Sequence, residues 1–199
     1  MADQEPDRTG VAILDAALRV LVDFGVKRAT VELVAKYAGV SHMTVYRRWP
    51  AKNELLLTAV MTEFRRLFTD VYEEARQLDS FDDKVVCGFT GILWCIRSHP
   101  LMARELATEP EVVLPFLTTA SGPAMDMAIA FGAENLRRAA KADGLTMADP
   151  AALAEVLVRL AHSLLLAPHP EPTLQSKAEV ADYARRYILP ITRSAAVPA

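Results

Sequence analysis

Apolar residues recur at helical spacing along almost the whole chain, and this pattern limits the folds that the chain can adopt. Leu14, Leu18 and Leu21 begin it, on one face of a helix predicted over residues 11–24. No segment alternates convincingly between apolar and polar residues with the period of two that a half-buried strand requires. Because 52% of the residues are hydrophobic, most of the chain can fold around a core. The pattern therefore predicts an all-α protein of about nine helices.

Residues that start or stop helices divide this pattern into segments. Polar side chains suited to the start of a helix stand at Thr30, Ser41, Ser80, Asp149 and Ser176. Gly25 and Gly39 are expected to end the first and second helices, because glycine readily adopts the backbone conformation that follows a last helical turn. Pro190 should end or kink the last helix, since it has no backbone N–H to donate.

The short third helix, residues 42–49, is unusual in what it exposes. On a helical wheel Val45 and Trp49 face inward, whereas Met43 and Arg47 point directly outward. Arginine can donate two hydrogen bonds to guanine, threonine can bond a base edge, and an apolar side chain can contact the thymine methyl group. The pattern predicts a helix that is anchored at its rear and whose front suits a DNA major groove.

The charge distribution supports a local interaction with phosphate. The whole chain has a formal net charge of −3. Residues 27–52 contain six basic side chains and one acidic side chain, which gives +5 and leaves −8 for the remainder. A compact basic patch on an acidic body attracts phosphate locally and binds nucleic acid weakly elsewhere. Ala35, Gly39 and Val45 also have the spacing of two helices that cross through a tight turn.

The sequence TVELVAKYAGVSHMTVYRRWPAKNELL, residues 30–56, resembles the helix-turn-helix of TetR-family transcriptional regulators. The features that carry the resemblance are the Ala-x-x-x-Gly-Val-Ser run, the Tyr-x-x-aromatic pair and the following Lys. By position, the resemblance implies base-reading residues at His42, Met43, Thr44, Arg47 and Arg48. It implies phosphate-binding residues at Thr30, Tyr46 and Lys52.

The resemblance also implies an organisation and a function. Residues 1–55 would form an N-terminal three-helix helix-turn-helix DNA-binding domain, and residues 56–199 a larger helical ligand-binding and dimerisation domain. A homodimer would place two recognition helices in successive major grooves of a palindromic operator. We expect a sequence-specific repressor that a small, largely apolar ligand releases from the DNA. Two alternatives stay open: an activator of the same fold, and an all-α small-molecule-binding or protein-interaction module that does not read DNA.

Two sets of residues in the larger domain are candidates for ligand binding and dimerisation. Bulky and adaptable side chains concentrate in the middle of the chain, although ordinary core packing is a competing explanation for each of them. The pocket candidates are Trp94, Arg97, Met102, Phe116, Met125, Met127, Phe131 and His162. The last two predicted helices have strong apolar stripes, and the resemblance implies that they pair with a second subunit. The interface candidates are Leu153, Leu157, Leu160, Leu164, Tyr183 and Tyr187.

Catalytic and metal sites are not expected. Glu105, Glu109 and Glu111 lie close together, but carboxylates beside prolines more often mark helix ends than a catalytic pair. The histidines at positions 99, 162 and 169 have no metal-ligand spacing, so neither a metal nor a cofactor is predicted. Cys87 and Cys95 are about 12 Å apart on one helix, which is too far for a disulfide.

Features that address a protein to a membrane are also not expected. No apolar run approaches the ~20 residues of a membrane-spanning helix. The first ten residues, MADQEPDRTG, are polar and acidic, unlike a secretory signal. The sequence therefore predicts a cytoplasmic protein.

Overall fold

A computed structural model describes residues 7–167 and 174–198 and confirms the all-α prediction. The helices are α1 Arg8–Phe24, α2 Val31–Ala38, α3 His42–Arg48, α4 Lys52–Arg76, α5 Phe81–Arg97, α6 Pro100–Thr108, α7 Pro110–Leu117, α8 Gly122–Ala142, α9 Pro150–Leu166, α10 Lys177–Tyr183 and α11 Leu189–Ser194. A π-helical segment, Ala184–Ile188, joins the last two. One small addition is a pair of antiparallel strands, β1 Leu145–Met147 and β2 Ala196–Pro198. Strands of three residues are too short to produce a period-two signal in the sequence.

The chain forms two compact units. The first comprises residues 1–66 and 99–118, and the second comprises residues 67–98 and 119–199, with structure described as above. The first unit thus includes α6 and α7, although the sequence predicts both within the larger domain. The functional division at residue 55 stays a prediction.

The core of the first unit is built from α1, α2, α3 and the start of α4. Ile13, Val20 and Val34 are fully buried there, and Leu55 joins them from α4. Leu101 of α6 packs into the same cluster. Because residues from four consecutive helices close this core, the short α3 is held on a rigid base.

The core of the second unit is centred on α5. Phe81 and Leu93 of α5 are fully buried together with Val180 and Ile188 from the C-terminal helical region. Helices α8 and α9 pack side by side in the same unit, where Gly132 faces Ala154. Helix α5 therefore buries apolar side chains on more than one of its faces.

The predicted helix starts are confirmed, and of the two outcomes predicted at Pro190, an end or a kink, the helix end does not occur. The side chains at Thr30, Ser41, Ser80, Asp149 and Ser176 each accept a hydrogen bond from a backbone amide in the first turn that follows. Pro190, by contrast, lies inside a continuous helical region and does not end it. The π-helical segment ends at Ile188, two residues before this proline, where the missing N–H and the ring of the proline disturb the regular hydrogen-bond ladder.

Candidate nucleic-acid interface and ligand cavity

The turn between α2 and α3 depends on a left-handed glycine. Gly39 has φ +68° and ψ 29°, and its amide donates to the Lys36 carbonyl over 3.3 Å. The Val40 amide donates to the Ala35 carbonyl over 3.0 Å. A Cβ at position 39 would meet no atom within 4 Å. Glycine is therefore favoured here by backbone conformation and not by lack of space.

Helix α3 is fixed at its rear and at its start. Val45 is fully buried in the core of the first unit, and Trp49 packs against that core. Ser41 Oγ accepts a hydrogen bond from the Thr44 amide over 3.1 Å and lies 2.9 Å from the Thr44 hydroxyl. These contacts hold a helix of only seven residues, which would be marginal in isolation.

The front of α3 projects into solvent, as the helical wheel predicts. Met43 is 65% exposed and Tyr46 is 39% exposed, while His42 and Arg47 are also exposed. The rings of His42 and Tyr46 meet edge to face with centroids 6.5 Å apart. The exposed face therefore combines a guanidinium group, an imidazole, a thioether and a phenol, all of which can contact a nucleic acid.

Arg48 differs from its neighbour Arg47. Its Nη2 donates to Asp7 Oδ2 over 2.7 Å, and its side chain is 28% exposed. Asp7 is also the N-cap of α1, where it accepts from the Gly10 amide over 2.8 Å. The Arg48 hydrogen bond and the Gly10 amide lower the pKa of Asp7. Arg48 thus connects the end of α3 to the start of α1 and does not extend freely from the exposed face.

Two of the predicted phosphate-binding residues come together at the start of α2. Thr30 Oγ1 accepts from the Leu33 amide over 3.2 Å. Lys52 Nζ donates to the Ala29 carbonyl over 3.3 Å, which places the ammonium group beside this helix start. An ammonium group has three N–H donors, so Lys52 keeps capacity for a further acceptor. Tyr46, the third predicted residue, lies on α3.

The basic patch keeps part of its charge uncompensated. Lys27 is paired with Glu111 over 2.6 Å, and Arg48 is paired with Asp7. Within the described residues, Arg28, Lys36 and Arg47 have no ion pair. Glu32 stays ionised within the patch, because its own amide and the Thr30 hydroxyl lower its pKa. Three exposed cations are thus available to attract phosphate around α2 and α3.

The second unit contains a cavity of about 220 Å³. Residues 68–76 of α4, 84–92 of α5, 128–142 of α8 and 154–161 of α9 contribute to its wall. Most of the wall is apolar, and each of the four helices contributes an alanine or a glycine, such as Ala75, Gly88, Gly132 and Ala154. The volume lies just below the ~300–1,000 Å³ of pockets for drug-sized ligands, so it suits a small molecule.

Residues 13–59, which contain the α2–turn–α3 element, match the family model described as "Bacterial regulatory proteins, tetR family". The N-terminal helix-turn-helix of this chain is therefore of the TetR type. It is similar to an uncharacterised HTH-type transcriptional regulator of Mycobacterium tuberculosis, with 29% identity over 158 residues that cover 79% of this chain and 80% of that relative. The chain is thus a TetR-like helix-turn-helix transcriptional regulator that binds DNA.

Solved structures of TetR-family proteins share the fold over 95–96% of the chain. The TetR-family repressor AlkX from Dietzia, implicated in n-alkane biodegradation, matches with a TM-score of 0.73 at 17% identity and covers 96% of this chain and 99% of its own. The TetR-family repressor QsdR of R. erythropolis matches with a TM-score of 0.68 at 22% identity, and the coverage is 95% and 96%. At these identities the likeness shows the fold alone.

Of the eight pocket residues predicted from the sequence, Phe131 lines the described cavity. Its ring centroid is 5.9 Å from that of Phe68 and 6.2 Å from that of Tyr72. Met102 and Phe116 lie in the first unit, the former buried and the latter exposed. The other candidates are partly buried in the second unit outside the cavity wall: Trp94, Arg97, Met125, Met127 and His162. The pocket prediction selected bulky side chains, and it therefore missed the alanines and glycines that surround Phe131 in the wall.

The predicted interface residues differ in exposure. Leu153 is buried in its own unit, and Leu157 lines the cavity. Tyr187 is 49% exposed, and its ring centroid is 4.9 Å from that of Tyr183. Leu160 and Leu164 are partly buried against the core of the second unit. Dimerisation through these helices stays a prediction, and Tyr187 offers the most accessible surface for it.

The three carboxylates between residues 105 and 111 have separate environments. Glu111 is paired with Lys27, whereas Glu105 is 1% exposed and its two oxygens have no hydrogen-bond partner in good geometry. Burial raises the pKa of Glu105. Within the described residues, no three His, Cys, Asp or Glu side chains are placed to hold a metal ion; position 169 lies outside those residues.

The two cysteines are free and lie on α5. Burial raises the pKa of Cys87, and it raises the pKa of Cys95 to about 11. Both thiols are therefore protonated at neutral pH and poorly reactive.

Among the described residues, no single helix combines the length and apolar composition that a membrane crossing needs. Two pairs of consecutive helices reach that length and composition only when each pair is taken together.

Proposed function

We propose that this TetR-family regulator is a homodimeric, cytoplasmic repressor that binds a palindromic operator through α3 and leaves it when a small, largely apolar ligand enters the cavity. The observation that carries the proposal is the exposed face of α3 on a buried anchor. Arg47 is exposed, and no described residue pairs with it. Arg47 is therefore free to donate two hydrogen bonds to guanine O6 and N7, while Met43 contacts a thymine methyl group.

The surroundings of α3 support a fixed docking position on the duplex. Lys52 and Thr30 lie at the start of α2, where they can contact phosphate oxygens together with Tyr46. Contacts to phosphate set the register of the protein on DNA without reading sequence. His42 and Thr44 complete the base-reading set. Arg48 contributes indirectly, because its bond to Asp7 fixes the end of α3.

Exposed apolar side chains near the C-terminus support the homodimer. Val156 of α9, Tyr187 of the π-helical segment and Ile191 of α11 are 45%, 49% and 39% exposed. A second copy would cover them, since apolar surface of this kind commonly marks a protein interface. A symmetric dimer presents two recognition helices, which is why its operator should be palindromic.

The first experiment is repeated selection from a pool of random duplexes, with the full-length protein at about 100 mM salt. Wild-type protein should enrich a palindrome. Arg47→Ala should weaken binding to it by about 1–3 kcal/mol and relax the preference at one base of each half-site. Arg137→Ala is the matched control, because Arg137 is an exposed arginine of α8 in the second unit. Folded wild-type dimers that enrich no sequence would refute DNA reading by α3.

Two further measurements test the finer parts of the proposal. Sedimentation should give a dimer for wild-type protein and a weaker dimer for Tyr187→Glu, because the charge would be buried at the interface. A reporter gene joined to the selected operator should be transcribed less when the protein is present. More transcription in its presence would make the protein an activator.

A further inference from the structure

The cavity has a cationic end. Arg76 ends α4 and Lys84 lies near the start of α5, and only residues 77–80 connect the two helices. Both side chains therefore lie at one end of the cavity. Asp143, directly after α8, accepts a hydrogen bond from the Phe81 amide and lies 3.0 Å from Lys84 Nζ. These bonds place the C-terminal turn of α8, and with it Arg138, at the cationic end of the cavity.

The opposite end is apolar. Phe68 and Ile92 lie about two turns away from the cationic residues of their own helices. Helices α8 and α9 are joined by residues 143–149 and run antiparallel, in contact at Gly132 and Ala154. Ala161, farther along α9, therefore lies toward the start of α8, away from the cationic end. Phenylalanine, isoleucine and alanine offer no hydrogen bond to a ligand there. A bound molecule must place an apolar part at this end.

The cationic end keeps donors for a ligand. Lys84 Nζ donates to the Asp79 carbonyl over 3.1 Å and to Asp143 over 3.0 Å, which leaves one of its three N–H groups. Arg76 Nε donates to Glu73 over 3.0 Å, and its Nη2 lies 2.7 Å from the same carboxylate oxygen. Arg138 Nε donates to Glu134 over 2.6 Å. Glu134 and Asp143 are not part of the cavity wall, and no aspartate or glutamate among the described residues lines it. A negative group inside the cavity would thus meet the N–H donors that Glu73, Asp143 and Glu134 leave unused, and the described wall itself presents no carboxylate.

We propose that the cavity binds an amphipathic anion, a small carboxylic acid with an apolar alkyl or aryl body. Its carboxylate lies among Arg76, Lys84 and Arg138, and its body extends past Phe131 toward Phe68 and Ile92. The amide of Asn135, another residue of the wall, is available to donate to the same carboxylate. This assignment names the chemistry of the effector and rests on the ligand-responsive function proposed above.

The test compares matched probes on the full-length protein by calorimetry. Octanoate, decanoate and naphthoate are each paired with the alcohol and the amine of the same body, below any micelle concentration. At least one carboxylate should bind about tenfold or more tightly than its alcohol, because a charge-assisted hydrogen bond is lost in the alcohol. The amine should bind weakest, since it meets like charge. Equal or stronger binding of every alcohol or amine would overturn the proposal.

Three variants locate the binding. Arg138→Gln and Lys84→Met should each reduce the preference for carboxylate over alcohol, whereas Arg137→Gln, the adjacent arginine outside the wall, should leave it unchanged. Gly88→Met should block all probes, because a Cβ at Gly88 meets nothing within 4 Å and the side chain would fill the cavity. Gly88→Ala controls for the gain in helix propensity. An unchanged preference in both cationic variants would also overturn the proposal.

Release of DNA is measured separately, so that the two proposals fail in different ways. The best carboxylate is added to the protein bound to its selected operator. If the carboxylate binds tightly and selectively but does not release the operator DNA, ligand-induced release is refuted, whereas the proposed ligand class is retained. Operator binding that no matched probe affects, together with absence of carboxylate preference, would refute the ligand class and leave DNA reading intact.

Discussion

The recognition helix and the cavity make opposite use of side-chain size. On α3, long side chains project from a helix that a single buried valine anchors, so function depends on what is present. Around the cavity, alanine and glycine leave space between four helices, so function depends on what is missing. The spacing of residues along a short stretch of sequence is enough to predict the first kind of site. The second kind becomes visible only when distant segments are packed together.

The largest expected effect breaks the anchor of the recognition helix. Val45→Asp would place an unpaired carboxylate in a fully buried position and should destabilise the first unit by about 3 kcal/mol or more. Met43→Asp, two residues earlier and 65% exposed, should keep normal stability while repelling phosphate. Both variants should lose operator binding, but only Val45→Asp should lower the midpoint of denaturant unfolding. Equal midpoints would show that the rear of α3 is not an anchor.

The next effect concerns close packing beside the cavity. A Cβ on Gly91 would lie 2.5 Å from Cγ1 of Val71, whose side chain lines the cavity. Gly91→Ala should therefore destabilise the second unit by about 1–3 kcal/mol through overpacking. Gly88→Ala, one turn earlier on the same helix, meets no atom and should be neutral or stabilising by about 0.5–1 kcal/mol. Thermal unfolding distinguishes the two variants. If both substitutions destabilise the second unit, then Gly88 does not face open space as the structure indicates.

The difference between the two regions also explains which features the sequence predicted. Thr30, Ser41 and Gly39 act on residues within four positions of themselves, so their roles follow from local rules. The bond between Arg48 and Asp7 joins residues 41 positions apart, and no local pattern indicates it. The cavity wall combines residues from position 68 to 161. For this reason Phe131 was the one predicted pocket residue found in it.

A smaller effect is the pH dependence that Glu105 gives to the stability of the first unit. Burial raises the pKa of Glu105 above the 4.5 of an ordinary glutamate, so the folded state holds this proton to higher pH than the unfolded state. Stability from this group is present below pH 4.5 and is lost as pH rises through the raised pKa. Glu105→Gln removes the ionisation and should stabilise the first unit at neutral pH by about 1 kcal/mol or more.

Urea unfolding of this variant at several pH values checks the sign. Its advantage over wild type should grow from pH 4 to pH 8 and vanish at the acidic end. Glu111→Gln is the matched control, because the Lys27 ammonium lowers the pKa of that exposed carboxylate. An advantage of Glu105→Gln that is constant with pH would mean that ionisation of Glu105 does not destabilise the fold.

The smallest effect concerns how the end of α3 is held. If Arg48 acts through Asp7, then Arg48→Ala and Asp7→Ala should weaken operator binding by similar amounts, although Asp7 is an anion and cannot attract phosphate. The pair is partly exposed, with side chains 28% and 61% accessible, so the coupling in a double-mutant cycle should be about 0.2–1 kcal/mol. Arg47→Ala combined with Asp7→Ala should be additive, since Arg47 makes no contact with Asp7. If Asp7→Ala instead tightens binding, removal of negative charge dominates, and Arg48 then belongs with Arg47 among the residues that contact DNA directly.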